Sequence, residues 1–537
     1  MATPQQNFED DREAVTPYTM HVSSRYLSLT HRKLELTRLP RELDLPTPDR
    51  WSQGTPKSVL EPLLDFWLEG YEWRKEEEEF NRLLPQFRTS VGIRIPSAPL
   101  SVGAKGRGRT GGKKGKGETD LGVGLERKDE METLRIHFVH KRSSRANAIP
   151  LLFCHTWPSS FVEVQRVIEA LTEPVGLPGG EGVQAFHVVA PSIPGFGFSD
   201  ASLREDFGLR ATAGVFDAVM GRLGYAEGGY VAVGTGWGFS ICRALALDYP
   251  THCLAVHTSN PSFPAPSLKK SKLRYVRYRI AKLTKAKIPM LSFGYTPTEL
   301  YTPPNTRGPG DINDALQLHR PLGPTLHHLY SLRPQTLAFS LCDSPVGLLA
   351  ALLDVIHTRE VVQDPLASRS ISPFLSPVEL EMQEARVAQT SVNASAIQTS
   401  TYGLESVEEE AEVQSDTTER PVGVTGEWTD GNGGEVKGYT WSPTEILNFV
   451  MLQWLPGPEA NSEAGTATPL MWGSASWDIA WVKRHQQPAT LPGFEAPDLL
   501  VMDMREYFGM LMKNGRLGRI RKGSEPAENG QAQSSNV

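Results

Sequence analysis

Apolar positions return in two rhythms along this chain. Short continuous runs at 149–154, 186–190, 230–233 and 254–258 read as buried strands. Between them, 161–171 and 208–223 repeat at helical spacing. The segment Thr133-Leu134-Arg135-Ile136-His137-Phe138-Val139-His140 alternates and reads as a further strand. Strands alternating with helices predict a mostly parallel sheet covered on both faces, with ligands bound beyond the strands' carboxyl ends. Upstream, 60–84 carries apolar residues at helical spacing and predicts a helical arm. Downstream, from about 262 to 455, the strand rhythm stops. A basic helix over 268–287 and helices over 345–356 and 443–454 predict a lid. Strands are expected again at 469–472 and 480–485, then a closing helix over 496–509.

The sharpest local signal is Tyr230-Val231-Ala232-Val233-Gly234-Thr235-Gly236-Trp237-Gly238-Phe239-Ser240. A strand turns into a helix there with small residues at alternate positions. Such a corner lifts its middle residue above the sheet, where a nucleophile sits in many hydrolases. Here the middle residue is Gly236, which has no side chain.

Two stretches break the pattern. Residues 98–131 are Gly-rich and carry six Lys and Arg between 105 and 116, without aromatics for base stacking, so a solvated basic insertion is expected. Residues 368–436 read as a second flexible insertion, acidic over 405–412, and 522–537 as a frayed tail. These breaks divide the chain into an arm (1–97), a core first half (132–261), a lid (262–455) and a core second half (456–521).

Composition adds little. The 537 residues are 39% hydrophobic and 22% charged, with a net charge of −7, which gives no global argument for nucleic acid, and no nucleic-acid partner is expected. Four cysteines without metal-type spacing predict free thiols, and neither leader nor bilayer-length run is evident, so a cytosolic location without metal or cofactor is expected.

Several motifs together resemble the microsomal-type epoxide hydrolases, which join an N-terminal arm to an α/β-hydrolase core. In the arm these are Thr37-Arg38-Leu39-Pro40, Trp51 with Gly54-Thr55-Pro56, and Tyr71-Glu72-Trp73-Arg74. In the core they are His155-Thr156-Trp157-Pro158, Pro194-Gly195-Phe196-Gly197-Phe198-Ser199, Asp343-Ser344-Pro345-Val346-Gly347-Leu348 and Phe494-Glu495-Ala496-Pro497 with Asp503-Met504-Arg505. Tyr439-Thr440-Trp441-Ser442-Pro443 is similar to fungal members. The resemblance implies an aspartate that attacks the epoxide, lid tyrosines that bind the opening oxygen, and a histidine–carboxylate pair that activates water.

Carried over residue by residue, the nucleophile position falls on Gly236, the base position on Thr490 and one lid tyrosine on Leu326. Asp478 is the nearby candidate for the orienting acid, and His485 a spare histidine. The second tyrosine stays open among Tyr275, Tyr278, Tyr295, Tyr301 and Tyr330. The oxyanion hole is expected from the backbone N–H groups of Trp157 and Trp237, with Thr156, in place of the family's glycine, distorting that loop. His155, Thr235 and His328 are the remaining pocket candidates. Three readings follow: a member that binds an apolar epoxide or polyketide-like metabolite, in secondary metabolism, with altered chemistry at His155, His328 or His485; a non-catalytic binding or scaffold protein; or an active epoxide hydrolase with groups relocated to Thr235, Ser240 or Asp478. The oligomeric state is left open.

Overall fold

The computed structural model describes residues 14–45, 51, 53–94, 131–174, 183–204, 207–259, 266, 268, 271–295, 334–363, 427–429, 435–437, 441–456, 478–483, 485, 489, 491–518 and 520. Strand β1 (Thr16–Pro17) opens the chain, followed by helices α1 (Ser24–Glu35), α2 (Lys57–Glu69) and α3 (Trp73–Leu83). Then come β2 (Gln86–Arg94), β3 (Met131–Lys141), β4 (Ile149–Cys154), a 3-10 turn (Phe161–Val164), α4 (Ile168–Thr172) and β5 (Phe186–Pro191). Helix α5 (Leu209–Arg222), β6 (Tyr230–Gly234), α6 (Gly236–Asp248) and β7 (Cys253–His257) complete the first half of the core. The described residues that follow include α7 (Lys272–Leu283), α8 (Pro289–Ser292), α9 (Pro334–Leu341) and α10 (Pro345–Gln363). A small hairpin of β8 (Glu427–Thr429) and β9 (Glu435–Lys437) precedes α11 (Pro443–Trp454), α12 (Pro492–Glu495) and α13 (Pro497–Lys513).

Seven strands form one sheet in the order β1-β2-β3-β5-β4-β6-β7. The pairs β5/β4, β4/β6 and β6/β7 are parallel. The pairs β1/β2, β2/β3 and β3/β5 are antiparallel. The sheet is therefore mixed, and its parallel half carries the corner. The antiparallel half arises because the arm is not purely helical: β1 and β2 extend the core sheet through β3. Strand β2 was illegible because Gln86, Arg88, Thr89, Ser90 and Arg94 blur its apolar alternation, although Thr89, Val91 and Ile93 alternate as buried residues. Strands β4, β5 and β6 are buried along their whole length, as parallel central strands covered on both faces must be.

Three local expectations change. The arm pattern over 60–84 is two helices, because the chain turns at Gly70 between α2 and α3. The 161–171 segment is a 3-10 turn followed by the short α4. Residues 480–483 form no strand. The Trp481 indole and Lys483 ammonium bind Glu506, and the His485 ring binds Asp503, so side-chain bonds to α13 hold this segment instead of a ladder. The basic insertion, the tail and the expected strand at 469–472 lie outside the described residues.

Helix α11 joins the arm to the core. A capping box between Ser442 and Glu445 starts it, with Pro443 in the first turn. Toward the arm, the Trp454 indole donates to Thr30 Oγ1 (2.8 Å) and the Tyr71 hydroxyl to Asn448 Oδ1 (2.7 Å). Toward the core, Glu445 pairs with Arg166. The buried Gln453 accepts from the Trp157 indole (3.1 Å) and donates to the Pro158 carbonyl (2.6 Å). One amide thus fixes both sides of the loop that follows β4. Gln453→Leu keeps the volume and removes both bonds, so it should lower the unfolding free energy by about 1–3 kcal/mol. Chemical denaturation at unchanged m-value checks this; an unmoved midpoint would refute the clamp.

Candidate functional site

Register builds the site. Cys154 of β4 lies opposite Gly234 of β6, so the two loops that follow these strands leave the sheet side by side. The corner after β6 is tightly packed. A Cβ on Gly234 would lie 2.6 Å from the Gly238 backbone, and one on Gly238 would lie 2.2 Å from the Cys154 carbonyl oxygen. Both positions therefore require glycine. Gly236 sits between them with φ +50°, the left-handed conformation expected of a lifted corner residue, and it is exposed. The corner geometry is intact, and it carries no nucleophilic side chain.

Thr156 fills the space beside it. Its Oγ1 accepts the Trp237 backbone N–H at 3.0 Å and reaches toward the Trp157 carbonyl at 3.5 Å. A Cβ built on Gly236 would lie 2.6 Å from that same oxygen. The Trp237 N–H belongs to the first turn of α6, whose amides lack intrahelical acceptors. Thr235, the residue before the helix, makes no capping bond, so the Thr156 hydroxyl takes that part from another strand's loop. The Trp237 N–H, expected as one donor of the oxyanion hole, is engaged here by the Thr156 hydroxyl, so the threonine contributes a hydroxyl at the corner as well as a changed backbone preference.

The neighbouring polar groups are buried. His155 is enclosed, with its Nε2 accepting the Ile193 N–H at 3.1 Å and its ring edge-on to Phe196. Burial pushes its pKa down to about 3, so the ring is neutral and its proton lies on Nδ1. Neither nitrogen is poised as a general base. His155 Nδ1, Ser160 Oγ and Thr235 Oγ1 are buried and make no hydrogen bond in the structure. The Thr156 N–H faces the buried Glu163 carboxylate at 3.4 Å, and Gly493 packs on the Glu163 backbone, where a Cβ would lie 2.6 Å from its carbonyl oxygen. Helix α12 thus closes against the 3-10 turn whose Glu163 faces the loop after β4.

Known proteins match this arrangement. Residues 15–102 and 124–164 match the epoxide hydrolase N terminus model, and residues 149–287 match the alpha/beta hydrolase fold model. A putative epoxide hydrolase of Stigmatella aurantiaca is 29% identical over 336 residues, covering 63% of this chain and 58% of that protein. Epoxide hydrolase 1 of Sus scrofa is 27% identical over 359 residues, covering 64% of this chain and 63% of that one. These matches span about three-fifths of each relative's own length. Among solved structures, the Aspergillus niger epoxide hydrolase aligns over 93% of this chain and 97% of its own, with TM-score 0.52 and 19% identity. The juvenile hormone epoxide hydrolase of the silkworm Bombyx mori aligns over 95% and 98%, with TM-score 0.56 and 17% identity. These structural likenesses establish the fold.

The chain joins an epoxide hydrolase N-terminal region to an α/β-hydrolase core and is similar to epoxide hydrolases.

The remaining expected site residues that the structure describes are engaged elsewhere. Asp478 is not placed as an orienting acid: its side chain is 91% exposed and pairs with Arg516 at 3.7 Å. His485 pairs with Asp503 at 2.6 Å, and Lys483 stands 3.3 Å from the other Asp503 oxygen; a second histidine, His252, pairs with Asp217 at 2.9 Å. Tyr278 and Tyr295 pack on each other beside Ala281 and Ala286, in a cluster separate from the main core. Thr490, Leu326, His328, Tyr301 and Tyr330 lie outside the described residues. Sequence reasoning missed Gln453, for which a lone glutamine in an apolar helix was the only signal.

Buried histidines make stability depend on pH. His137 and His155 are pushed down to about 3 and His257 to about 4, all chiefly by burial. An unfolded histidine titrates near 6.5. Between those values the unfolded chain takes up protons that the folded chain refuses, so stability falls as pH drops from about 6.5 toward 4 and is flat with respect to these groups above about 7. His155→Gln removes one of these steps. Thermal unfolding across that range should show a shallower decline for the variant; an identical slope would contradict this account of the ring.

Proposed function

We propose that this chain binds an apolar epoxide or a related oxygenated metabolite above the carboxyl ends of β4 and β6, without forming the covalent ester of the family's reaction. One observation carries this reading: the corner residue is Gly236, and the Thr156 hydroxyl occupies both the space beside it and the neighbouring amide donor. Ester formation needs an attacking oxygen at this point and free donors for the opening oxygen. Removing a nucleophile alone typically costs several orders of magnitude in rate.

Binding is supported by the buried donors on the same two loops. His155 Nδ1–H, with the Ser160 and Thr235 hydroxyls, can bond an ether or carbonyl oxygen. Trp237 and Phe196, whose rings meet at 6.0 Å, supply apolar surface nearby. The epoxide hydrolase relatives named above make an epoxide the first ligand class to test.

The test is a panel of apolar epoxides, read by calorimetry for binding, by chromatography for diol and by intact mass for an ester. The wild-type chain should bind at least one member and give neither diol nor adduct. Gly236→Asp alone should also give no adduct, because its side chain meets Thr156. Gly236→Asp combined with Thr156→Gly should trap an adduct. Diol from the wild-type chain would overturn the proposal, and absence of binding across the panel would overturn the ligand class.

A further inference from the structure

Helix α7 stands apart from the rest of the fold in both packing and charge. Of its twelve residues only Ala281 is buried. Leu273, Val276, Ile280 and Leu283 recur at i, i+3, i+7 and i+10, which places them on one face. Ala281 and Tyr278 lie on the other side, packed toward Ala286, Phe293 and Tyr295. The outward apolar stripe is open: Leu273 is 63% exposed and Leu283 is 80% exposed. Beyond the helix, Ile288 and Met290 extend the exposed apolar surface.

Cations flank this stripe. Lys272 and Arg279 lie on one side of it and Arg277 on the other, all exposed, with Lys282, Lys285 and Lys287 following. From residue 249 to residue 298 the chain contains nine Lys and Arg and no Asp or Glu, although the whole chain is acidic at −7. An isolated basic cluster of this kind is a solvated face in most proteins. An apolar stripe between the cations, with Leu273, Val276 and Leu283 exposed and Ile280 half-buried among them, is what a solvated face lacks. An interfacial helix needs both: apolar side chains that enter the acyl boundary, and long cationic side chains that reach anionic headgroups.

We propose that α7, with the segment through Met290, is a docking surface for an anionic lipid membrane. The helix lies in the plane of the interface, with Leu273, Val276, Ile280 and Leu283 inserted and Lys272, Arg277 and Arg279 on the headgroups. Charge complementarity selects this occupant. Juxtamembrane cations each add to binding at an anionic surface, so several together with a few inserted side chains give reversible binding. The attraction is screened by salt.

Co-sedimentation of the full chain with vesicles tests the proposal. Phosphatidylcholine vesicles containing phosphatidylserine should pull the protein down, and pure phosphatidylcholine should not. Arg277→Glu with Arg279→Glu should weaken binding by roughly tenfold or more. Leu273→Ser with Leu283→Ser should weaken it comparably, and added salt should affect the wild type more than the Arg277→Glu, Arg279→Glu variant. All four positions are exposed, so unchanged thermal unfolding of the variants serves as the folding control. No binding to anionic vesicles, equal binding to neutral ones, or binding unaffected by either variant would overturn the proposal. Loss of self-association in Leu273→Ser with Leu283→Ser, without any vesicle binding, would assign the stripe to a second copy of the chain instead.

Discussion

The Trp237 amide and the Thr156 hydroxyl meet at 3.0 Å beside a glycine whose backbone is left-handed. Helix α6 begins at that point, and its first amides need acceptors from outside the helix. In an acyl- or alkyl-transfer site such amides are left for charge that develops during reaction. Here a neutral hydroxyl from the loop after β4 already satisfies the Trp237 amide. The same oxygen stands 2.6 Å from where a side chain at position 236 would begin. The two positions therefore belong together: a residue larger than glycine at 236 meets Thr156, and the Thr156 bond is made where position 236 is bare.

The surrounding scaffold holds this arrangement firmly. Gly234 and Gly238 allow β4 and β6 to approach the corner at distances no Cβ permits. Gln453 fixes the Trp157-Pro158 stretch from α11, and α11 is itself bonded to Thr30 and Tyr71 of the arm. Arm, core and the helical region thus converge on the loop that carries Thr156. Packing and polar satisfaction that would serve a catalytic corner serve equally a rigid binding surface, because neither depends on the missing side chain.

Much of this was legible in the chain itself. The buried runs of β4, β5 and β6 and the Gly-x-Gly-x-Gly corner announce an α/β core because full burial and tight turning demand those residue types. The motif resemblance named the family, and the comparisons support it. What was not legible depended on side-chain direction or on partners distant in sequence. Strand β2 hides behind polar residues that face neither core nor solvent cleanly. Residues 480–483 carry strand-like residues but are held by side chains to Asp503 and Glu506, twenty or more residues downstream. Thr156 was visible as a substitution, yet its effect was expected in the backbone. That its hydroxyl turns to the Trp237 amide follows from the β4/β6 register, which no local pattern contains.

The central claim is most directly tested at the Trp237 amide. With tryptophan labelled by nitrogen-15, its resonance and hydrogen-exchange rate can be compared between the wild-type chain and Thr156→Val, which keeps the shape and removes the hydroxyl. The account predicts an upfield shift and faster exchange for this amide, with the tryptophan amides other than that of Trp157, which follows the substituted residue, unmoved. An unchanged Trp237 signal would mean that the threonine does not hold the donor, and the corner's amide would then be available to a ligand oxygen after all.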